Sequence, residues 1–356
     1  MNCQNSTPSK TTNRSIPTNK VFQLQSYFYQ LPEELIAQES LRARDQARLL
    51  VIDRAKGSIL HDTFDHLDRY LPSHACLVAN NSKVIPARLL GQRSTGGQVE
   101  VFLLNAYEDG YSFEVLLRPL KKIKEGEVID FGSGISAVLK DKEKRLVRFN
   151  KKNLIRHLKD IGHIPLPPYI KRPDTFQDRQ DYQTVYAKTP GSVASPTAGL
   201  HFTKDQIRAL GAHGHRFLEL TLHINYGTFR PVECEDIRSH PMHSEHYTIK
   251  PLVYQNILKA KTDSRKLVAV GTTSCRVLET LAARGKVLSG DTDMFIYPGY
   301  DFKMADILIT NFHLPYSTLL MLVCAFGGYE LVMSAYQEAV KKRYRFYSYG
   351  DAMLIL

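Results

Sequence analysis

From about residue 86 to residue 150 the chain runs through one short strand-like segment after another, with no helical stretch between them. Segments 98–106 and 111–118 flank Glu108-Asp109-Gly110, a hairpin turn signal. Segments 128–131, 135–139 and 145–149 follow, separated by Gly132-Ser133-Gly134 and Asp141-Lys142-Glu143-Lys144. Strands at this spacing predict a small antiparallel β-barrel. Phe131-Gly132-Ser133-Gly134-Ile135 has the look of a nucleotide-binding glycine loop, but no helix follows it, so it reads as a strand turn.

The patterning on the far side is different. Leu267-Val268-Ala269-Val270 reads as a buried strand, Gly271-Thr272-Thr273-Ser274 as a turn, and 275–284 as a helix stopped by Gly285. Val277, Leu278, Leu281 and Ala282 give that helix one apolar face. Ile307-Leu308-Ile309 is a second strand, running into Thr310-Asn311-Phe312-His313-Leu314-Pro315, with a helix from about Ser317 and another over 329–343. Near the start, Leu31 to Ile36 reads as a loop entering a short helix and Leu49-Leu50-Val51-Ile52 as a strand. A chain of 356 residues also exceeds one typical domain. The expected fold is α/β: a larger mixed α/β domain (27–85 and 151–356) with an inserted small antiparallel β-barrel domain (86–150). Residues 1–26 carry Lys10, Arg14 and Lys20 but no acid and little to bury, so they read as a disordered, inert tail.

A formal net charge of +11 favours a polyanionic partner. Two basic clusters stand out: Arg118, Lys121, Lys122 and Lys124, and Lys341, Lys342, Arg343 and Arg345 interleaved with Tyr344, Phe346, Tyr347 and Tyr349. Charge mixed with aromatics suits folded RNA, although lysine runs are also ordinary solvated faces. No run approaches the roughly 18 apolar residues of a membrane span; the longest apolar stretch, 317–328, suits a buried helix. The five cysteines, Cys3, Cys76, Cys234, Cys275 and Cys324, form no C-x-x-C pair, which fits a reducing compartment and packed thiols.

Four segments carry candidate chemistry. Gly271-Thr272-Thr273-Ser274 would present free N–H groups and the positive end of a helix dipole to a carboxylate or phosphate, or else simply cap a helix. Arg276 and Glu279 would lie on the polar side of that helix. The run from Ser192 to Thr203 is dense in small residues, which let backbone approach a ligand, and ends in His201 and Phe202; Phe202 is placed to pack on a base, unless the run is a structural loop. Thr221 to Phe229 reads as a strand delivering His223 to a glycine turn, as a structural histidine or a base. In His240-Pro241-Met242-His243-Ser244-Glu245-His246 three histidines stand three apart. A metal site there is disfavoured, because Pro241 fits only a first helical turn and no cysteine is near; His243 and Glu245 read as a general-base pair or as polar structure.

Taken together these segments resemble the S-adenosylmethionine:tRNA ribosyltransferase-isomerase family, from Tyr27 to Leu356. Leu31-Pro32-Glu33-Glu34-Leu35-Ile36-Ala37-Gln38, Val84-Ile85-Pro86-Ala87-Arg88-Leu89, Pro165-Leu166-Pro167-Pro168-Tyr169-Ile170 and Tyr182-Gln183-Thr184-Val185-Tyr186-Ala187 carry the likeness. So do the blocks 196–203, 269–273, 310–315 and 345–353. Two departures stand out. Asn80-Asn81-Ser82-Lys83 replaces the family's usual Asn-Asp-Thr-Arg, and Ile224-Asn225 stands where Val-Gly is common.

The resemblance implies transfer and isomerisation of the ribosyl group of S-adenosylmethionine onto 7-aminomethyl-7-deazaguanine at the wobble position of tRNA. Epoxyqueuosine-tRNA would form, with adenine and methionine released. It implies tRNA and S-adenosylmethionine as partners, the latter consumed as substrate, with no cofactor, metal or membrane, in a cytoplasmic monomer. The proton-transfer candidates are His201, His223, His243 and Glu245. Gly271, Thr272 and Thr273 would hold the methionyl carboxylate, with Arg276, Glu279, Tyr186, Phe202, Asn311 and His313 as further substrate contacts and Arg118, Lys121, Lys122 and Lys124 on RNA. Open α/β sheets bind ligands at the carboxyl ends of strands, where Gly271 and Asn311 both fall. Rival readings are an S-adenosylmethionine-dependent RNA methyltransferase and a non-catalytic RNA-binding protein.

Overall fold

The apolar tetrad Leu49-Leu50-Val51-Ile52 is wholly buried in the computed structural model, which describes residues 20–225, 227 and 232–356. It is the centre of β1 (Arg48–Asp53), which turns back into β2 (Ser58–Thr63); β3 (Cys76–Asn80) and the short β4 (Ser82–Val84) follow. The chain then enters β5 (Arg88–Arg93), β6 (Gln98–Ala106), β7 (Ser112–Arg118), β8 (Val128–Asp130), β9 (Ser136–Asp141) and β10 (Leu146–Phe149). These six pair antiparallel in the order β5-β6-β7-β10-β9-β8, and β8 returns to β5 through Gln92↔Asp130 and Arg93↔Ile129, which closes the barrel. Val101, Val115, Ile129, Leu139 and Val147 fill its interior. At the seam only glycine fits: a Cβ on Gly91 would lie 2.7 Å from Ile129 and 2.8 Å from Phe131. The expected antiparallel barrel is there, set into a larger mixed α/β body.

After the barrel come α1 (Leu158–Ile161), β11 (Gly162–His163), which adds to the free part of the β5 edge, and α2 (Asp178–Asp181). The rest is β12 (Thr189–Ser192), α3 (Lys204–Ala212), β13 (Arg216–Leu222), β14 (Glu245–Thr248), α4 (Pro251–Thr262), β15 (Leu267–Val270), α5 (Thr272–Arg284), β16 (Ser289–Thr292), β17 (Ile307–Asn311), α6 (Thr318–Gly327), α7 (Tyr329–Lys341) and β18 (Ala352–Ile355). The large sheet has nine strands in the order β16-β14-β13-β3-β15-β17-β18-β1-β2. Its middle four, β13, β3, β15 and β17, are parallel.

Period-two alternation serves both faces of this sheet. Leu50, Val78 and Ala269 face the layer made by α4 to α7, while Val51, Leu77 and Val268 face Phe64, Phe202 and Leu210. Ser317 caps α6 by accepting from the Leu320 N–H at 3.2 Å, and Gly285, at φ 70°, ends α5 as expected. The apolar stretch at 317–328 is a buried helix, bent by 116° from α7 at Gly328; no single helix among the described residues is long and apolar enough to cross a membrane.

Three expectations need correction. Helix α5 starts at Thr272, so Gly271 alone makes the turn, at φ 90°. Residues 20–26 of the expected tail form two 3-10 turns, with the Leu24 N–H on the Glu235 carbonyl at 2.8 Å; residues 1–19 lie outside the described residues. Tyr344, Phe346 and Tyr349 are buried, with Phe346 packed on Phe312 and Tyr336, so these aromatics of the second basic cluster are core; Tyr347, also largely buried, is the one that borders a cleft.

Candidate active site

The parallel strands β15 and β17 end side by side, tied by the Gly271 N–H on the Ile309 carbonyl at 2.8 Å. Beyond their carboxyl ends opens a cleft, the position where open α/β sheets bind ligands. Gly271, Thr272, Thr273 and Arg276 form one wall, and Thr310 to Leu314 another. Ala194 to Ala198, Asn225, Gly227, His240, Met242, His243, Glu245, Tyr169, Tyr347 and Ser348 are among the other residues that line it.

No side chain caps α5, so its first N–H groups and the positive end of its dipole are left to the cleft. The loop from Ser195 to Ala198 passes directly over this turn: a Cβ on Gly271 would sit 3.6 Å from that of Ala198. Asn80, fully buried at the end of β3, braces it from behind by donating to Thr273 Oγ1 at 3.4 Å and to the Leu222 carbonyl at 2.9 Å.

Arg276 projects from the second turn of α5 into a buried ion pair with Glu245, whose other oxygen accepts from the Asn225 N–H at 3.0 Å. The guanidinium also donates to the carbonyls of Met294 at 2.9 Å and Thr292 at 3.3 Å. With both oxygens engaged, Glu245 is a fixed wall of the cleft and leaves the role of free base to another group. His243 is exposed on that wall beside half-buried His240, whose imidazole is pushed down by burial and by His243. His246 points elsewhere, to Asp291 on β16 at 2.8 Å, and among the described residues no three His, Cys, Asp or Glu side chains converge as a metal site.

The other expected site residues divide. Asn311 and His313 line the cleft. His313 is held neutral, pushed to about 3 by burial, with Nε2 2.7 Å from Thr310 Oγ1. His201 lies behind the wall, out of the cleft, with Nε2 3.2 Å from Asn311 Nδ2; burial, then Arg345 and Arg44, push it to about 3. A histidine so placed holds structure and does not exchange protons with a cleft ligand. His223 is outside the cleft as well, its ring packed on Gly191, where a Cβ would come within 2.7 Å. Phe202 is fully buried between Phe64 and Phe217, and buried Tyr186 packs on Phe217, so neither ring reaches a ligand. Glu279 is fully buried, accepting from the N–H groups of Lys303, Met304 and Ala305 at 2.9–3.0 Å and from Tyr300 Oη at 3.2 Å. It organises a loop.

Arg118, Lys121, Lys122 and Lys124 are exposed on the barrel, at and after the end of β7, and none is in an ion pair with another described residue. The first family departure also lies off the cleft: Asn81 accepts from Thr221 Oγ1 at 2.7 Å and donates to Glu219 at 3.1 Å, while Lys83 is exposed. A carboxylate at 81 would face Glu219 directly, so the amide suits this setting. The second departure is in the cleft, where Asn225 lends its N–H to Glu245. His240, Tyr169, Tyr347 and Ser348 are cleft residues that sequence reasoning missed. The sequence marks His240 only by its metal-like spacing and Tyr347 only as part of a basic–aromatic run, while Tyr169 and Ser348 carry no local chemical signal.

A family model described as a queuosine biosynthesis protein matches residues 24–355. The S-adenosylmethionine:tRNA ribosyltransferase-isomerase of Carboxydothermus hydrogenoformans is 48% identical over 339 residues, covering 94% of this chain and 99% of that protein. A protein of the same name from Nitratidesulfovibrio vulgaris is 47% identical over 365 residues, covering 95% and 98%. The solved structure of an S-adenosylmethionine tRNA ribosyltransferase from Thermotoga maritima matches with a TM-score of 0.54 at 37% identity, over 93% of this chain and all of that one.

Proposed function

Because this chain belongs to the queuosine biosynthesis protein family, we propose that it transfers and isomerises the ribosyl group of S-adenosylmethionine onto 7-aminomethyl-7-deazaguanine in a tRNA anticodon. The product is epoxyqueuosine-tRNA, with adenine and methionine released. The observation that carries the reading to this cleft is the uncapped start of α5 opening beside His243 and the end of β17.

In this reading the methionyl carboxylate lies on the first N–H groups of α5, where the backbone and the dipole favour an anion. The sulfonium acidifies the neighbouring ribose methylene, and His243 takes its proton, since it is the exposed imidazole on the cleft wall. Adenine then departs, protonated by an acid, the amine of the deazaguanine attacks the sugar fragment, and cleavage of the carbon–sulfur bond releases methionine. Arg276 and Glu245 fix the wall that presents His243. S-adenosylmethionine is spent as a substrate, and the steps call on acid–base groups alone. The enzyme works as a monomer in the cytoplasm, where its tRNA is found; the described cysteines are all free, which fits a reducing compartment.

Incubation with S-adenosylmethionine and precursor-bearing tRNA is expected to release free adenine and methionine in step with the gain in tRNA mass. S-adenosylhomocysteine with a methyl-sized mass gain would instead establish a methyltransferase. The unpaired cations of the barrel are proposed to grip tRNA phosphates. Replacing Lys121, Lys122 and Lys124 by Ala is then expected to raise the tRNA requirement, and to lower the salt dependence by about one unit of slope per lost contact. S-adenosylmethionine affinity should hold. An unchanged tRNA affinity and salt slope would leave these lysines as solvated charge.

A further inference from the structure

Two polar atoms on the cleft wall have no hydrogen-bond partner among the described residues: Oδ1 of Asn311 and Oγ of Ser195, in residues only 1% and 4% exposed. The Asn311 amide cannot be turned over to change this. Its Nδ2 donates to the Tyr347 carbonyl at 3.1 Å, and a carbonyl can only accept; its second hydrogen faces His201 Nε2 at 3.2 Å. In its Nδ1–H tautomer, neutral His201 accepts that hydrogen at Nε2. Asn311, a residue of the cleft wall, therefore holds a bare acceptor whose orientation is fixed by its amide partners. A buried carbonyl without a donor carries an uncompensated desolvation cost, which a ligand N–H or O–H recovers.

Position narrows the donor. β15 and β17 run parallel in the register Val270↔Ile309, so Asn311 ends the strand next to the one that hands over to α5. Neighbouring strands lie roughly 4.8 Å apart. An amino-acid carboxylate seated on the start of α5 carries its ammonium on the same carbon, and Asn311 is the last residue of the neighbouring strand. The Ser195 hydroxyl lies in the loop that crosses Gly271, at the same end of the cleft.

We infer that Asn311 Oδ1, assisted by Ser195 Oγ, accepts hydrogen bonds from the α-ammonium of the methionyl part of S-adenosylmethionine, so that the enzyme recognises an intact amino-acid zwitterion. The inference rests on the functional reading above and assigns a ligand group to atoms that it leaves idle.

Calorimetric titration with tRNA present tests it, using S-adenosylmethionine, the analogue lacking the α-amine, and the analogue whose purine lacks the 6-amino group. The wild-type protein is expected to bind the deaminated analogue roughly ten- to a hundredfold more weakly than S-adenosylmethionine, as for a hydrogen bond to a charged group. Asn311→Leu and Asn311→Ala, checked by their melting curves, should lose most of that preference and keep any preference for the 6-amino group. Equal binding of the first two compounds by the wild type overturns the inference without recourse to a variant. So does a variant that discriminates against the deaminated analogue as the wild type does, or one that loses the 6-amino preference instead, which would give the carbonyl to adenine. A wild-type protein with no affinity for S-adenosylmethionine would sink the functional reading itself.

Discussion

Arg276→Ala should destabilise the protein by about 3–5 kcal/mol and abolish turnover, because it strands a carboxylate in the wall of the cleft. Glu245 is 3% exposed and Arg276 4%, so removing the guanidinium leaves a charge that water cannot reach, and two carbonyls, those of Met294 and Thr292, lose their donor as well. The double substitution Arg276→Met with Glu245→Leu removes both charges and should recover part of the lost stability while remaining inactive, since the wall that presents His243 is still altered. Urea unfolding of the single and double variants measures this. A single variant within about 1 kcal/mol of wild type would mean that the pair behaves as an exposed one does.

Glu279→Ala should cost at least about 3 kcal/mol, since three backbone N–H groups would lose their only acceptor in a buried site. These are the N–H groups of Lys303, Met304 and Ala305, which the carboxylate gathers at the end of the segment leading into β17. The expected signature separates structure from chemistry: a lowered unfolding midpoint, with kcat/KM for the folded Glu279→Gln protein close to wild type at low temperature. Wild-type stability combined with lost turnover would return Glu279 to the reaction.

These two carboxylates show where reading from sequence stops. Both sit in segments that sequence marks as chemical, and Glu279 stands three residues after Arg276 on the same helix, yet their partners come from residues 225 and 303–305, which no local pattern connects to them. Local patterns did reveal the hairpins of the barrel and the strand–glycine–helix unit at 267–285, because alternation, turn chemistry and a helix stop act over a few residues. Barrel closure through Gln92 and Asp130 was beyond that reach, since it depends on which edges meet. The same divide runs through the site. Gly271, Thr272, Thr273 and Asn311 could be placed because ligands gather at strand ends. Phe202 and His201 were misjudged because a run of small residues says that backbone comes close to something without saying which side faces the ligand. In Phe202 the ring went to the core between Phe64 and Phe217.

The strand order also governs the order of assembly during synthesis. Leu49 pairs with Ala352 and Leu50 with Met353, and β18 wedges β1 onto β17, so the first strand of the sheet waits for one of the last segments made. β3 likewise lies between strands that begin at Arg216 and Leu267. The barrel leans on later sequence far less: its six strands lie within residues 88–149 and close on one another, with β11 added to its edge and Leu154, Leu158 and Val193 to its core. Contacts between distant residues form late because the intervening chain must first be ordered. On the ribosome, then, the barrel strands are complete while β1 and β2 remain an exposed hairpin, and translation must reach residue 355 before that hairpin joins the sheet beside β18.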